Sequence, residues 1–480
     1  MSSAVKSKNV KYYIHSAIAI AIMVFARYIP VPYPFTRDGM LVLGVLIGFI
    51  YALVNGNLFW GSILALFMVG TSDVISVGGI LSAVMSNGTV MFLIALFMFV
   101  AYLGSVGFAR TLALKIIQSN VTKGRPWVLT LFLLLGAFIP ASLMSITAVF
   151  LIVLPILYEI CDEVGMEKTE RWPMLTSIGI GVALALSLGF WPFQAFGSIL
   201  SGQLVAGGYD GGVPFVQWVL YMTVINGICL AATVLIIRLL KPDVSKLHAY
   251  TPPAEKVKFN SDQKFALLLV GLLLALFTVP QFLPAGSAPR VFFTQFGPFA
   301  IVSFLLALGA FLRKDGKPRI DIAMAAAKGL VIWPLVIMVG TVLVIADILT
   351  REDLGFVAFI VQRLGPIFDV GNVVFFTLIV LAIAFVITTF VQGGLVIAIM
   401  FPVLVPIALS MGFPMMQIIA PFAAAVNVGL VLPSSHALAA LMHGQEHIGP
   451  KNIMKYIPLF MVVTFVLVAL IGIPLALVMF

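Results

Sequence analysis

Apolar runs of roughly 20 residues recur from one end of this chain to the other, each long enough to cross a ~30 Å hydrocarbon core as a helix. Alternating ten-residue strands, the mark of a membrane β-barrel, are absent. The pattern predicts spans near 10–29, 39–54, 57–70, 89–107, 173–205, 215–238, 264–283, 296–312, 328–347, 415–442 and 456–479. Two further apolar stretches, near 127–158 and 370–410, turn back on themselves and read as re-entrant hairpins. The expected fold is an all-α polytopic membrane protein of about 11 transmembrane helices plus two re-entrant helical hairpins.

The two hairpins are interrupted alike. The first reads Pro140-Ala-Ser-Leu-Met-Ser145-Ile146-Thr147 and reaches Pro155; the second reads Ile387-Thr388-Thr389-Phe-Val-Gln392-Gly393-Gly394 and reaches Pro402. Each places a polar or glycine tip inside an apolar run, with a proline eight residues beyond. Some thirty to forty residues later each is followed by a second interruption, Trp191-Pro192-Phe193-Gln194-Ala195 and Pro433-Ser434-Ser435-His436-Ala437. Irregular backbone survives at membrane depth only where protein or a wet cavity covers it. Glycine and proline are common in membrane helices, so a single break reads as packing. Four breaks in matching order point to the binding site of a transporter.

The order of parts divides the chain into an N-terminal helix (1–38), a first repeat (39–238, with hairpin 127–158 and broken helix 173–205), a linker (239–263) and a second repeat (264–480, with hairpin 370–410 and broken helix 415–442). Ahead of each hairpin lies a short charged amphipathic segment, Ala109–Ile117 in the first half and Arg351–Arg363 in the second. Charge then orients the scheme. With the N-terminus in the cytoplasm, all but five of the 27 Lys and Arg fall in cytoplasmic segments; the exceptions are Arg27, Arg37, Arg290, Arg351 and Arg363. That asymmetry follows the positive-inside rule and places the C-terminus outside. It also puts the two amphipathic segments on opposite sides, so the repeats are inverted and a site is expected at mid-depth.

Composition agrees with this class: 62% of residues are hydrophobic and only 9% charged, against about 25% charged in soluble proteins. The net charge of +9 is topological and does not indicate a nucleic-acid partner. Cys161 and Cys229 are too few for a disulfide framework or a metal site. The first apolar stretch follows Lys6, Lys8 and Lys11 without a small-residue cleavage pattern and reads as a retained helix. Trp60, Trp127, Trp172, Trp218 and Trp333 fall near span ends and read as interfacial anchors, whereas Trp191 lies beside a break.

No span carries a mid-membrane Arg or Lys placed to pair with an anion. An anion can instead be held by the free N–H groups and dipoles of half-helix N-termini. Ser145 and Thr147 at the first tip, and Gln392, Gly393 and Gly394 at the second, let it approach. Gln194, Ser434, Ser435 and His436 add side-chain donors from the broken spans, and Asn427 is a weaker candidate. Intramembrane Ser and Thr more often serve their own helix carbonyls. His443-Gly-Gln-Glu446-His447 has the H-x-x-E-H spacing of a zinc peptidase, but Gly449 and Pro450 end the helix there and no third ligand is evident, so it reads as a polar loop.

In its tips and in the order of its spans the chain resembles the divalent anion–sodium symporter family of the ion transporter superfamily. That family has a Ser-Asn-Thr tip in each repeat and a Thr-Pro-Pro-Asn-like break in the helix that follows. The matching positions are Ser145-Ile146-Thr147, Gln392-Gly393-Gly394, Trp191-Pro192-Phe193-Gln194 and Pro433-Ser434-Ser435-His436. Both signature asparagines are replaced, by Ile146 and Gly393. The resemblance implies a homodimer with a scaffold and elevator-type transport domains, moving di- or tricarboxylates or sulfate. It implies no bound cofactor other than a coupling ion, Na+ or H+, and places a sodium site at Ser145, Gly189 and Gln392. The expected protein is an inner-membrane secondary transporter of a small organic anion, not an enzyme.

Overall fold

The computed structural model describes residues 3–31, 33–55, 58–284, 286–321, 331–368, 371–433 and 435–480. Six helices come first: α1 (Ser3–Phe25), α2 (Arg37–Val54), α3 (Leu58–Gly70), α4 (Val77–Ser86), α5 (Gly88–Ser105) and α6 (Phe108–Ile117). The arms of the first hairpin follow, α7 (Pro126–Leu143) and α8 (Ile146–Glu163), then the two pieces of a broken span, α9 (Arg171–Leu186) and α10 (Ala195–Ala206), and a long α11 (Phe215–Leu239). The second half opens with α12 (Ser261–Phe282), α13 (Ala288–Phe311), a two-residue antiparallel ribbon (Arg313–Lys314 with Lys317–Pro318), α14 (Trp333–Leu349) and α15 (Phe356–Phe368). The second hairpin is α16 (Val373–Thr388) and α17 (Gly393–Ser410). A second broken span, α18 (Met415–Ala425) and α19 (Ala437–His443), precedes α20 (Pro450–Leu467), a π-helical turn at Val468–Gly472 and α21 (Ile473–Met479). Among the described residues, nine helices are long and apolar enough to cross a membrane.

The same succession of hairpin, broken span and closing helix therefore occurs twice. Two features lie outside the sequence-based scheme. The stretch after α3, left between the spans expected at 57–70 and 89–107, contains α4, started by a bond from Gly79 N–H to the Ser76 hydroxyl. The span expected at 296–312 is the second part of a longer α13, bent at Gly297, whose φ of 61° suits glycine, with Pro298 next.

Burial ranks the helices. The α9 region is 94% buried and α1 only 17%, so α9 is the axis of one bundle and α1 lies at the periphery. α9 packs against α7, α8, α11, α19 and α20. Its glycines make this close approach feasible: Gly179 faces Ile237, Leu134 and Thr233, and Gly181 faces Met442.

The linker is pinned to both ends of the first hairpin. Gly124, just before α7, donates its N–H to the Tyr250 carbonyl at 3.1 Å. Lys246, in the turn Ser245–Ala249, reaches the Gly165 carbonyl (3.0 Å) and the Glu170 carboxylate (2.8 Å) just beyond α8. That bond holds the Glu170 carboxyl below its usual range.

Both breaks begin earlier than the prolines that signal them. α9 ends at Leu186, passes into a 3-10 turn over Ser187–Gly189, and α-helix resumes at Ala195; α18 ends at Ala425, passes into a 3-10 turn over Val426–Val428, and α-helix resumes at Ala437. Proline clashes with the carbonyl four residues before it and disfavours helix in the residue before it, so the loss of helix spreads N-terminally from Pro192 and Pro433. In the second break a close approach adds to this: a β-carbon on Gly429 would overlap the Thr388 carbonyl of the hairpin. Gly429→Ala is expected to cost about 2 kcal/mol or more. Gly271→Ala, on the open face of α12 where nothing lies within 4 Å, is expected to be neutral or to stabilise by up to about 1 kcal/mol. Thermal unfolding in detergent checks both; equal effects would contradict the packing argument.

Candidate functional site

The last carbonyls of a helix have no partner within it. At the first tip the partners come from the first break. α7 ends at Leu143 with Met144 extended, and the buried Ala141 carbonyl accepts both from the Met144 N–H at 3.3 Å and from Gln194 Nε2 at 3.2 Å. Trp191 Nε1 donates to Ser142 Oγ at 3.1 Å. The Trp191 ring also opens a stack with Phe193, Phe215 and Phe277, centroids 5.0–6.1 Å apart, which covers the irregular backbone. Trp191 thus serves both packing and the site wall.

The second hairpin and second break are joined in the same manner. Thr388 Oγ1, on the last turn of α16, donates to the Val426 carbonyl, and the Thr388 carbonyl lies against Gly429. Across the middle, the two breaks meet: a β-carbon on Gly189 would lie 3.0 Å from the Ala423 carbonyl and 3.7 Å from Asn427 Nδ2. The second tip closes on the same place. Gly393 faces Asn427 and Phe196, and a β-carbon on Gly394 would lie in ordinary contact with Ile199, 3.7 Å away. The second tip and both breaks thus form one locus, and Trp191 and Gln194 tie the first hairpin to it.

The sequence-derived residues fall into distinct settings there. Ser145 and Thr147 pair their hydroxyls at 2.8 Å, and Ser145 is exposed. Gln194 spends its Nε2 on Ala141, while its Oε1 is buried without a partner. Gln392 is exposed, ahead of the buried Gly393 and Gly394. Ser435 is buried and its hydroxyl serves the Leu432 carbonyl at 2.7 Å. Ser434 lies outside the described residues. His436 Nδ1 accepts from the Leu438 N–H at 3.0 Å, so the neutral ring carries its proton on Nε2, which is buried with no partner. Of the residues suggested for sodium, Ser145 shares its hydroxyl with Thr147, Gly189 has its carbonyl engaged by Trp218 Nε1 at 3.1 Å, and the Gln392 side chain is exposed.

Two tryptophans read as interfacial anchors are internal instead. Trp218, fully buried, satisfies the Gly189 carbonyl inside the first break. Trp172, also fully buried, donates to Thr130 Oγ1 at 3.0 Å and ties α9 to α7. Position along the chain does not tell a span end facing lipid from one facing a neighbouring helix. Asn427, ranked low from the sequence, is 5% exposed with both amide atoms unpartnered. The earlier start of the second break is what brings it into the site.

Three helices begin at the two tips and the first break without a side-chain cap: α8 after Ser145, α10 after Gln194 and α17 after Gln392. Their starts present unpaired N–H groups. The tips and breaks contain no Asp, Glu, Lys or Arg. In the H-x-x-E-H motif the two histidines face different partners. α19 ends at His443, whose Nε2 lies 3.0 Å from the Val431 carbonyl, and His447 packs edge-on against Tyr158. Among the described residues no cluster of three or more His, Cys, Asp or Glu could hold a metal ion.

Paired hairpins and broken spans in a polytopic helical protein define a membrane-embedded secondary transporter. The family model of the CitMHS citrate transporters matches residues 41–391, and the chain belongs to that family; it is a carrier, not an enzyme. The anion-transporter resemblance read from the sequence holds at this level. The chain is similar in structure to the Alcanivorax borkumensis YdaH transporter, with a TM-score of 0.60 at 12% identity, covering 83% of this chain and 86% of that one. It is also similar to Neisseria gonorrhoeae MtrF, whose structure is described as illuminating a class of antimetabolite efflux pumps, with a TM-score of 0.57 at 12% identity over 96% and 94% of the chains. These similarities bear on the fold alone. No curated protein matches the chain by sequence.

Trp218→Phe keeps the ring and removes the donor to the Gly189 carbonyl. It is expected to lower stability by about 1–3 kcal/mol, read as a fall in unfolding temperature. No change would mean that another group satisfies that carbonyl.

Proposed function

We propose that this transporter carries a small organic anion with two or three carboxylates, of the citrate type, by alternating access. The observation that carries the reading is the set of three uncapped helix N-termini at a locus without charged side chains. Each N-terminus acts as roughly +0.5 of a charge, so the three supply about +1.5 through fixed backbone dipoles. That balances most of a dicarboxylate. A tricarboxylate needs a cation moving with it, which favours cation coupling or exchange over uniport. Family membership supports the same substrate class.

The coupling ion we favour is not strictly sodium. The second tip offers glycines where hydroxyls would add oxygens, and Ile146 has none to offer at the first. His436, with a proton on a buried and unpartnered Nε2, supports proton coupling. The two-fold succession of parts supports an elevator-like movement of the hairpins and broken spans against the remaining helices, in a homodimer whose basic loops face the cytoplasm. A proton-coupled carrier of another polar solute or of an inorganic oxyanion is the second reading, favoured by the small, largely apolar lining of the second tip.

In proteoliposomes, uptake or counterflow of citrate or a related carboxylate is expected. A screen of carboxylates and oxyanions with no uptake and no thermal stabilisation would overturn the proposal. Uptake is expected to persist when choline replaces sodium at fixed pH; its collapse would assign sodium as the obligatory ion. His436→Ala is expected to alter the dependence of the transport rate on pH, and an unchanged profile at normal rate would leave His436 with only its helix-capping role.

A further inference from the structure

Asn427 lies in the first turn of the second break, and neither end of its amide has a hydrogen-bond partner among the described residues. Gly393 is the first residue of α17, at the second tip. A β-carbon at 393 would overlap Asn427 Oδ1. The Asn427 amide therefore fills the space that a side chain at the tip would otherwise take. Its Nδ2 end points to the first break, 3.7 Å from where a β-carbon on Gly189 would be. The group stands where the two breaks and the second tip meet.

Two other buried amides, Gln203 and Asn226, also lack partners among the described residues. They lie within the uninterrupted helices α10 and α11, whereas Asn427 adjoins broken backbone. Beside Asn427, Gly393 and Gly394 occupy the first two helical positions, where N–H groups have no carbonyl within the helix to meet. These N–H groups and the two hydrogens of Asn427 Nδ2 are donors that a carboxylate, which accepts only, matches, whereas Oδ1, the end beside Gly393, is an acceptor and takes no part.

We propose that Asn427 is a substrate-binding residue whose amide N–H groups hold one carboxylate of the anion against the N–H groups of Gly393 and Gly394. Position 393 is glycine so that this amide can stand there: the tip's missing amide arrives from the opposite wall. The arrangement ties substrate binding to closure of the second hairpin, because the amide and the tip belong to different elements. This rests on reading the locus as a carboxylate site.

The test uses the full-length protein, purified and reconstituted, with citrate as the probe. Asn427→Ala is expected to raise the Kd or KM for citrate by about 10-fold or more, with little change in unfolding temperature in the absence of citrate. Gly393→Asn is expected to lose binding through overlap with Asn427. The exchange variant Asn427→Gly/Gly393→Asn is expected to recover binding to within about threefold of wild type, far from the product of the two single losses. If the exchange variant does not fold, Asn427→Asp decides: a carboxylate of the same shape repels the anion and is expected to weaken binding at least as much as alanine does. Unchanged citrate affinity in Asn427→Ala or Asn427→Asp would overturn the assignment while leaving the carboxylate reading intact. So would an exchange variant that folds and binds no better than the worse single variant. A wild-type protein indifferent to citrate and to every other carboxylate would overturn both.

Discussion

A peptide group without a partner in hydrocarbon costs several kcal/mol, and this protein places the ends of several helices there. The structure resolves the cost by reciprocity. The first hairpin ends with the Ala141 carbonyl, which takes one bond from Met144, and the Ser142 hydroxyl, and the first break supplies Gln194 and Trp191 as further partners. The second hairpin supplies Thr388 to the Val426 carbonyl of the second break. Trp218, from a closing helix, takes the Gly189 carbonyl. Each hairpin is therefore joined to its break by hydrogen bonds between their ends. The carbonyl ends are largely satisfied in this way, while the N–H ends at Ile146, Ala195 and Gly393 are left without side-chain caps. That imbalance makes the locus a site.

The hairpins and the broken spans were legible in the sequence because proline and glycine have few other roles in an apolar run. The pattern at 140–155 and 387–402 marked both tips, and the hairpin arms fall within a few residues of the expected bounds. The extent of the breaks was less legible. Proline marks one end of an interruption, and its steric effect runs backwards along the chain, so Ser187–Gly189 and Val426–Val428 read as helix in sequence. Asn427 was underrated for that reason. Trp172 and Trp218 look like interface anchors until the neighbouring helices are known, since both kinds of site want an apolar ring and one donor. Ser435 shows the converse limit: a hydroxyl near a break can be taken by its own turn.

The proposed site would work by fixed dipoles instead of fixed charges. Backbone N–H groups cannot be deprotonated and need no desolvation of a lysine or arginine, which suits a site at membrane depth. Three helix starts give less positive charge than a tricarboxylate carries, so the deficit becomes a reason for a co-transported cation. Membership of the citrate transporter family and the proposed dipole site are separate grounds for the substrate class proposed above.

The central claim is that the anion sits where the second tip and the two breaks meet. The most direct measurement is a density map of the protein with citrate bound, in a membrane-like environment. The account predicts density for the anion in contact with Gly393, Gly394 and Asn427, within reach of Ser145 and Thr147. Density at any other place, with this locus unchanged from the ligand-free protein, would contradict it.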